Sequence, residues 1–238
     1  MRWIEKLPGH ASMLRLLPAI IIAGVTGSIA GAQAPPAPAA PTPRFVVVLD
    51  AAHGGDDGGG RFGDQLEKSL TLAMSVKLRS LLAARAIPVV TTRESDANID
   101  LDRRAEIANH ANAQACLSLH ATESGAGIHL FVSSLAPAPA SRLMAWKTAQ
   151  GAHVTRSLAL AGVLNSAFAH AGMNVTLGRT SLPAVDSMTC PAIAIEIAPE
   201  FSASHAKGAS ADDAGYQARV ADAIAAALLE WRTEANQP

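Results

Sequence analysis

Three short apolar runs in this chain each end at a residue able to hold a metal or move a proton. Phe45-Val46-Val47-Val48-Leu49 passes through Asp50 into Ala51-Ala52-His53-Gly54-Gly55. Ala115-Cys116-Leu117-Ser118-Leu119 stops at His120, and Ala192-Ile193-Ala194-Ile195 stops at Glu196. Runs of this length, bounded by Gly or Pro and apolar on both faces, predict buried strands of a largely parallel sheet. Between the first two, Leu66, Leu70, Met74, Leu78, Leu81 and Leu82 recur at helical spacing and predict an amphipathic helix opened by Glu67. Residues 87–92 predict a second strand, closing a right-handed β-α-β unit. A helix follows over 101–113, a strand over 128–132, a helix over 155–171 and a terminal Ala-rich helix over 216–231. This alternation predicts an α/β domain of three layers, with a mostly parallel or mixed central sheet flanked by helices. Residues 133–154, with Pro137, Pro139 and Trp146, follow neither period.

Chemistry in open α/β sheets collects outside the carboxyl ends of the strands. Two histidines and a carboxylate on three such ends therefore point to one site, built around a metal ion. His53, taken alone, reads equally as a capping or surface histidine, although the glycines after it let the backbone turn and leave the imidazole facing a pocket. Glu67 in a first helical turn is favoured by the helix dipole whatever its function. His120 ends a buried strand, where a polar side chain needs a reason. Glu196, at the end of Ala-Ile-Ala-Ile, is costly to bury unless it is paired or faces a polar cavity, and catalytic bases occupy such places. Together they have the composition of a catalytic zinc site that keeps one coordination position open. The Asp/Gly-rich stretch 54–60 fits neither a calcium-binding EF-hand nor a phosphate loop.

The amino terminus adds a location. Arg2, Lys6 and Arg15 precede an apolar stretch over 16–32 that ends in Ala30-Gly31-Ala32, the small-x-small pattern of a secretory signal. Residues 1–32 are thus expected to be an export signal cleaved after Ala32, with an uncleaved membrane anchor as the alternative. The Pro/Ala-rich stretch 33–43 reads as a stiff, extended linker, and 44–238 as one domain with a substantial core. A net charge of −1 with no basic stripe argues against nucleic acid as a partner. Cys116 and Cys190 are the only cysteines. Export invites a disulfide between them, but both occupy apolar positions, and free buried thiols are the better-supported expectation.

The residues in order resemble a known family, the zinc-dependent N-acetylmuramoyl-L-alanine amidases of bacterial cell walls. The resemblance runs from Phe45 to about Trp231. It rests on Val-Leu-Asp-Ala-Ala-His53-Gly-Gly, on Glu67-Lys68, and on Thr92-Arg93-x-x-Asp96. It continues through Leu101-x-x-Arg104-x-x-x-Ala108-Asn109, Ser118-Leu119-His120-Ala121, Cys190-Pro191-Ala192-Ile193-Ala194-Ile195-Glu196 and Tyr216-Gln217. It implies a mixed sheet flanked by helices, with zinc held by His53, Glu67 and His120 and with Glu196 as the catalytic glutamate. The implied substrate is peptidoglycan, cut at the amide between N-acetylmuramic acid and L-alanine, in the periplasm or cell envelope. Arg93 and Arg104 also match, and their expected role is the plain one of helix–sheet ion pairs.

The chain departs from the pattern at Ala51-Ala52, where Pro-Gly is usual, and at Thr122, where Asn is usual. It departs again after Glu196, where Ile197-Ala198-Pro199-Glu200-Phe201-Ser202 replaces Gly-Phe-x-Ser-Asn. Two other readings follow: a catalytically silent domain that binds peptidoglycan or a partner, and a zinc hydrolase of the same fold acting on another amide. Some regulated members insert a long helix that blocks the zinc until a partner removes it. The corresponding stretch here, 133–154, is short and broken by proline, so no self-blocking helix is expected and any activator protein is left unnamed.

Overall fold

The computed structural model describes residues 45–141, 143–200 and 208–235, so the expected signal and linker lie outside the described residues. The three apolar runs form strands Val47–Ala51 (β1), Ala115–Ala121 (β5) and Ala192–Ile197 (β8). They lie side by side and parallel, Val48 facing Cys116 and His120 facing Glu196 in register. Arg61–Phe62 (β2) and Gln65–Leu66 (β3) make a small hairpin in the Asp/Gly-rich stretch, and Val89–Thr91 (β4) is the edge strand beyond β1. Ile128–Ser133 (β6) runs antiparallel to β8 and parallel to Val175–Thr180 (β7), giving a six-stranded mixed sheet of order β4-β1-β5-β8-β6-β7.

The helices are Glu67–Ala83 (α1), Leu101–His110 (α2), Val154–His170 (α3), Pro183–Asp186 (α4) and Ala214–Ala235 (α5). α1, α3 and α5 bury their apolar stripes against Val47, Leu49, Leu117, Leu119, Ile193 and Ile195 on one face of the sheet. α2 and α4 cover Val48, Cys116 and Ala192 on the other. Asp100 caps α2 by accepting a bond from the Arg103 N–H at 2.7 Å. Among the described residues of 134–153 there is only a short 3₁₀ helix, Trp146–Ala152. None of the described residues in that stretch lines the cleft at the carboxyl ends of β1 and β5.

The thiols are not free. Cys116 and Cys190 form a disulfide with Cα atoms 6.2 Å apart, within the span such a bridge tolerates. Burial alone favours free thiols in the sequence; the register sets Cys116 beside Ala192, two residues after Cys190, and so brings the sulfurs together. The bridge closes a sequence separation of 74 residues. Replacing both cysteines by Ala is expected to cost about 2–4 kcal/mol, read as a lower midpoint in chemical denaturation. An unchanged midpoint would show that the bridge adds nothing to stability.

Candidate metal centre at the carboxyl ends of the strands

β1 ends in a tight turn of left-handed backbone. His53 itself adopts φ 61°, a left-handed conformation rare for a residue with a side chain. Gly55 follows at φ 60°, and a Cβ there would stand 2.7 Å from the Cβ of Asn98. Two arginines hold this turn. Arg104 on α2 donates to Asp50 Oδ1 at 2.7 Å, to the Ala51 carbonyl at 2.6 Å and to the His53 carbonyl at 2.6 Å. Thr92 and Ser118 add hydroxyl bonds to the same Asp50 carboxylate. The expectation of an ion pair is met for Arg104, which is buried against Asp50. It is not met for Arg93, whose guanidinium binds the carbonyls of Ala51, Ala52 and Lys68 instead. The first two leave the sheet where the parallel ladder ends and the third belongs to the first turn of α1, and a planar five-donor fork can serve all three at once. Lys68 donates to the Gly55 carbonyl and to Asp96, which accepts the Gly55 N–H. The Glu-Lys and Arg-x-x-Asp motifs are therefore the scaffold of the His-Gly-Gly loop.

Glu67 opens α1 directly beneath that loop and is buried. Its Oε2 accepts the Gly60 N–H at 2.8 Å and lies 3.1 Å from His53 Nε2. Its Oε1 accepts the Ala121 N–H at 3.1 Å and lies 3.1 Å from His120 Nδ1. The two imidazoles meet edge-on with centroids 5.4 Å apart. One donor atom from each of His53, Glu67 and His120 lies within 4.8 Å of the others. Burial pushes the Glu67 carboxyl up, but the bonds from His120, His53, Gly60 and Ala121 outweigh it and hold the group well below the usual carboxylate range. The bond to Glu67, opposed by burial and helped by Asp57, raises His53 above its ordinary 6.5.

The donor set fits a zinc ion. Two imidazole nitrogens and a carboxylate oxygen are the ligands of catalytic zinc, and ligand bonds of about 2.0–2.2 Å need donors spaced as these are. The space for an ion is also kept clear: a Cβ on Gly59, at φ 65°, would stand 2.6 Å from His53 Cδ2 and 2.7 Å from Glu67 Oε2. His53 Nδ1 is bonded to Asp57 Oδ2 at 2.8 Å, which leaves Nε2 turned towards Glu67. Glu196 does not join this cluster. It sits on the neighbouring strand β8, in register with His120, partly exposed and on the same face of the sheet. Beside His53 and His120 opens a cleft of about 280 Å³, whose lining includes Asp50, Asp57, Asp100, Arg104 and Ser118.

A family model described as N-acetylmuramoyl-L-alanine amidase, Amidase_3, matches residues 47–230. The chain belongs to this amidase family. The catalytic domain of CwlV, an N-acetylmuramoyl-L-alanine amidase from Bacillus (Paenibacillus) polymyxa var. colistinus, superposes on it with a TM-score of 0.61 and 25% identity, covering 79% of this chain and 98% of that one. The germination-specific N-acetylmuramoyl-L-alanine amidase of Bacillus subtilis is 34% identical over 89 residues, 32% of this chain and 38% of that protein. N-acetylmuramoyl-L-alanine amidase AmiA of Escherichia coli is 42% identical over 80 residues, 33% of this chain and 27% of that protein. The match thus spans well under half the length of these curated relatives. Membership accounts for the mixed sheet and for the order of the motifs along it.

Within this amidase-family site the sequence leaves Asp57 unassigned, hidden in a Gly/Asp-rich stretch. Its one legible signal is a position four residues after His53. Asp57 also accepts the Gly59 N–H at 3.1 Å, so one carboxylate fixes both the His53 ring and the backbone that clears the ion's space. Asp57→Ala is expected to weaken zinc binding about 10–100-fold, the usual cost of removing a carboxylate behind a metal-bound histidine. Competition titration with a chelating dye reads this directly, and unchanged affinity would remove Asp57 from the site. A metal binds only the neutral imidazole, so the raised pKa of His53 makes protons compete already above pH 6.5. Zinc affinity should therefore fall as pH drops through that raised value. A flat affinity across the histidine titration range would contradict the assignment of His53.

Proposed function

We propose that this chain is a zinc-dependent peptidoglycan amidase, hydrolysing the bond between N-acetylmuramic acid and L-alanine with Glu196 as the proton carrier. The observation that carries the reading is the convergence of His53, Glu67 and His120 within 4.8 Å, with Glu196 beside His120 on the next strand. Family membership supports the bond to be cut. Zinc held by those three residues would supply a Lewis acid for the scissile carbonyl and lower the pKa of water. Glu196, next to His120 in the sheet, accepts the proton of the attacking water and delivers it to the leaving nitrogen as the C–N bond breaks. The products are the lactyl carboxylate of the sugar and the free amine of the stem peptide. Asp57 keeps His53 in the tautomer that offers Nε2, and Arg104 keeps the His53 carbonyl, and so the turn, in place.

Export to the envelope belongs to the same proposal. A buried Cys116–Cys190 bridge is at home in an oxidising compartment, which supports export independently of the amino-terminal pattern. Among the described residues no helix is long and apolar enough to cross a membrane. Digestion of purified peptidoglycan, followed by mass spectrometry of the fragments, tests the reading. Release of intact stem peptides with a free L-alanine amine, abolished by a chelator and restored by zinc, is the expected result. Binding without release would favour a silent domain. Cleavage at a different amide would favour another hydrolase of the same fold.

A further inference from the structure

The two faces of the sheet are unequally covered at the β6 edge. Ile128, Leu130 and Val132 pack into the main core with α3, whereas His129 and Phe131 alternate to the opposite face and remain partly exposed. There they continue the candidate site. Glu196 lies opposite His129 and Ala194 opposite Phe131 across the antiparallel pair, with Thr176 and Gly178 next to them on β7. Directly opposed residues share a face, with Cβ atoms about 4.5–5.5 Å apart. One row therefore reads His120, Glu196, His129, Thr176 across four strands.

The row beneath is flat. Phe131 lies over Gly178, where a Cβ would stand 3.2 Å from the ring, so any side chain at this position would lift it. The His129 and Phe131 rings are near-parallel, 26° apart, with centroids 6.4 Å apart. His129 Nδ1 is bonded to Thr176 Oγ1 at 2.6 Å, which fixes the ring over the β6–β7 edge. Gly125 keeps that edge approachable, since a Cβ there would stand 3.0 Å from Nε2. The surface offers a level aromatic floor with an imidazole and a hydroxyl at its rim. Arg179, opposite Val132 in the register, alternates to the other face and bonds the carbonyls of Ser133 and Leu135. Among the described residues no Lys or Arg side chain shares this row of the sheet to meet the carboxylates of a stem peptide. A neutral pyranose ring finds what it needs: an apolar face for its C–H groups and polar partners for its hydroxyl or acetamido groups.

Resting on the amidase reading, we infer that Phe131 and His129 form the sugar-binding floor of the site, seating an N-acetylated hexosamine of the glycan strand beside Glu196. The test uses the purified chain and two probes without the scissile amide: a short N-acetylglucosamine oligomer and a free stem peptide, each titrated by calorimetry. Phe131→Leu removes the flat ring and should weaken oligomer binding about tenfold while leaving the stem peptide unaffected. Phe131→Tyr keeps the ring and should bind as the wild type does. Gly178→Val displaces the same ring from β7 and should reproduce the loss, so a misfolded Phe131→Leu does not end the test. On peptidoglycan, Phe131→Leu should raise KM with kcat retained. Wild-type protein that ignores the oligomer, undiminished binding in Phe131→Leu and Gly178→Val, or loss of stem-peptide binding instead would each overturn the inference. Oligomer binding that needs Phe131 in a chain releasing no stem peptide would sink the amidase reading and leave the sugar floor standing. Release with oligomer binding indifferent to Phe131 would do the reverse.

Discussion

Glu196→Gln should lower hydrolysis of peptidoglycan about 10²–10⁴-fold while the protein still binds zinc, because in the proposed mechanism it removes the proton carrier and no ligand. His120→Ala should abolish hydrolysis as well, but by a different route: it takes away one of three protein ligands, and zinc content should fall from about one per chain to near nothing. The contrast follows from the register. His120 and Glu196 are neighbours on β5 and β8, yet only His120 has a ring nitrogen within reach of Glu67. Metal analysis of both purified variants, alongside turnover, separates the two roles. Zinc lost from Glu196→Gln, or retained in His120→Ala, would reassign them.

The second large effect concerns stability. Arg104→Ala should destabilise the fold by about 3–5 kcal/mol, since it leaves the buried carboxylate of Asp50 without its charged partner. Asp50 and Arg104 are both almost wholly buried, and only the Thr92 and Ser118 hydroxyls would remain for the carboxylate. Arg104→Lys should recover only part of the loss, because an ammonium cannot reach Asp50 and the carbonyls of Ala51 and His53 together. Chemical denaturation measures both variants. The same variants should bind zinc more weakly, as the His53 carbonyl loses its anchor. A variant of normal stability would mean that Asp50 is served adequately by hydroxyls alone.

Much of this was legible in the residues. The strands carrying His53, His120 and Glu196 are buried on both faces, so they appear as unbroken apolar runs. α1 and α5 show one apolar stripe each and were equally plain. β7 was not visible because it is an edge strand with no buried position, and nothing in Val175–Thr180 alternates. The β2–β3 hairpin has two residues per strand, too few to carry a period. Predicted elements also ran long where a left-handed residue stops them: α2 ends at His110, shortly before Asn112 at φ 48°. The pairing of Cys116 with Cys190 depends on a register between strands distant in the chain. The role of Arg93 depends on carbonyls left over at the end of a parallel ladder, and no residue pattern advertises those.

The joining of β1 to β5 and of β5 to β8 has a consequence for how the protein comes into being. Val47 must find Ala115, and His120 must find Glu196, before the two imidazoles and the carboxylate of Glu67 can share a point in space. Partners this far apart along a polypeptide assemble late and slowly. A chain emerging from the ribosome therefore carries every residue of the candidate centre well before the centre itself exists, which comes into being only as the sheet closes.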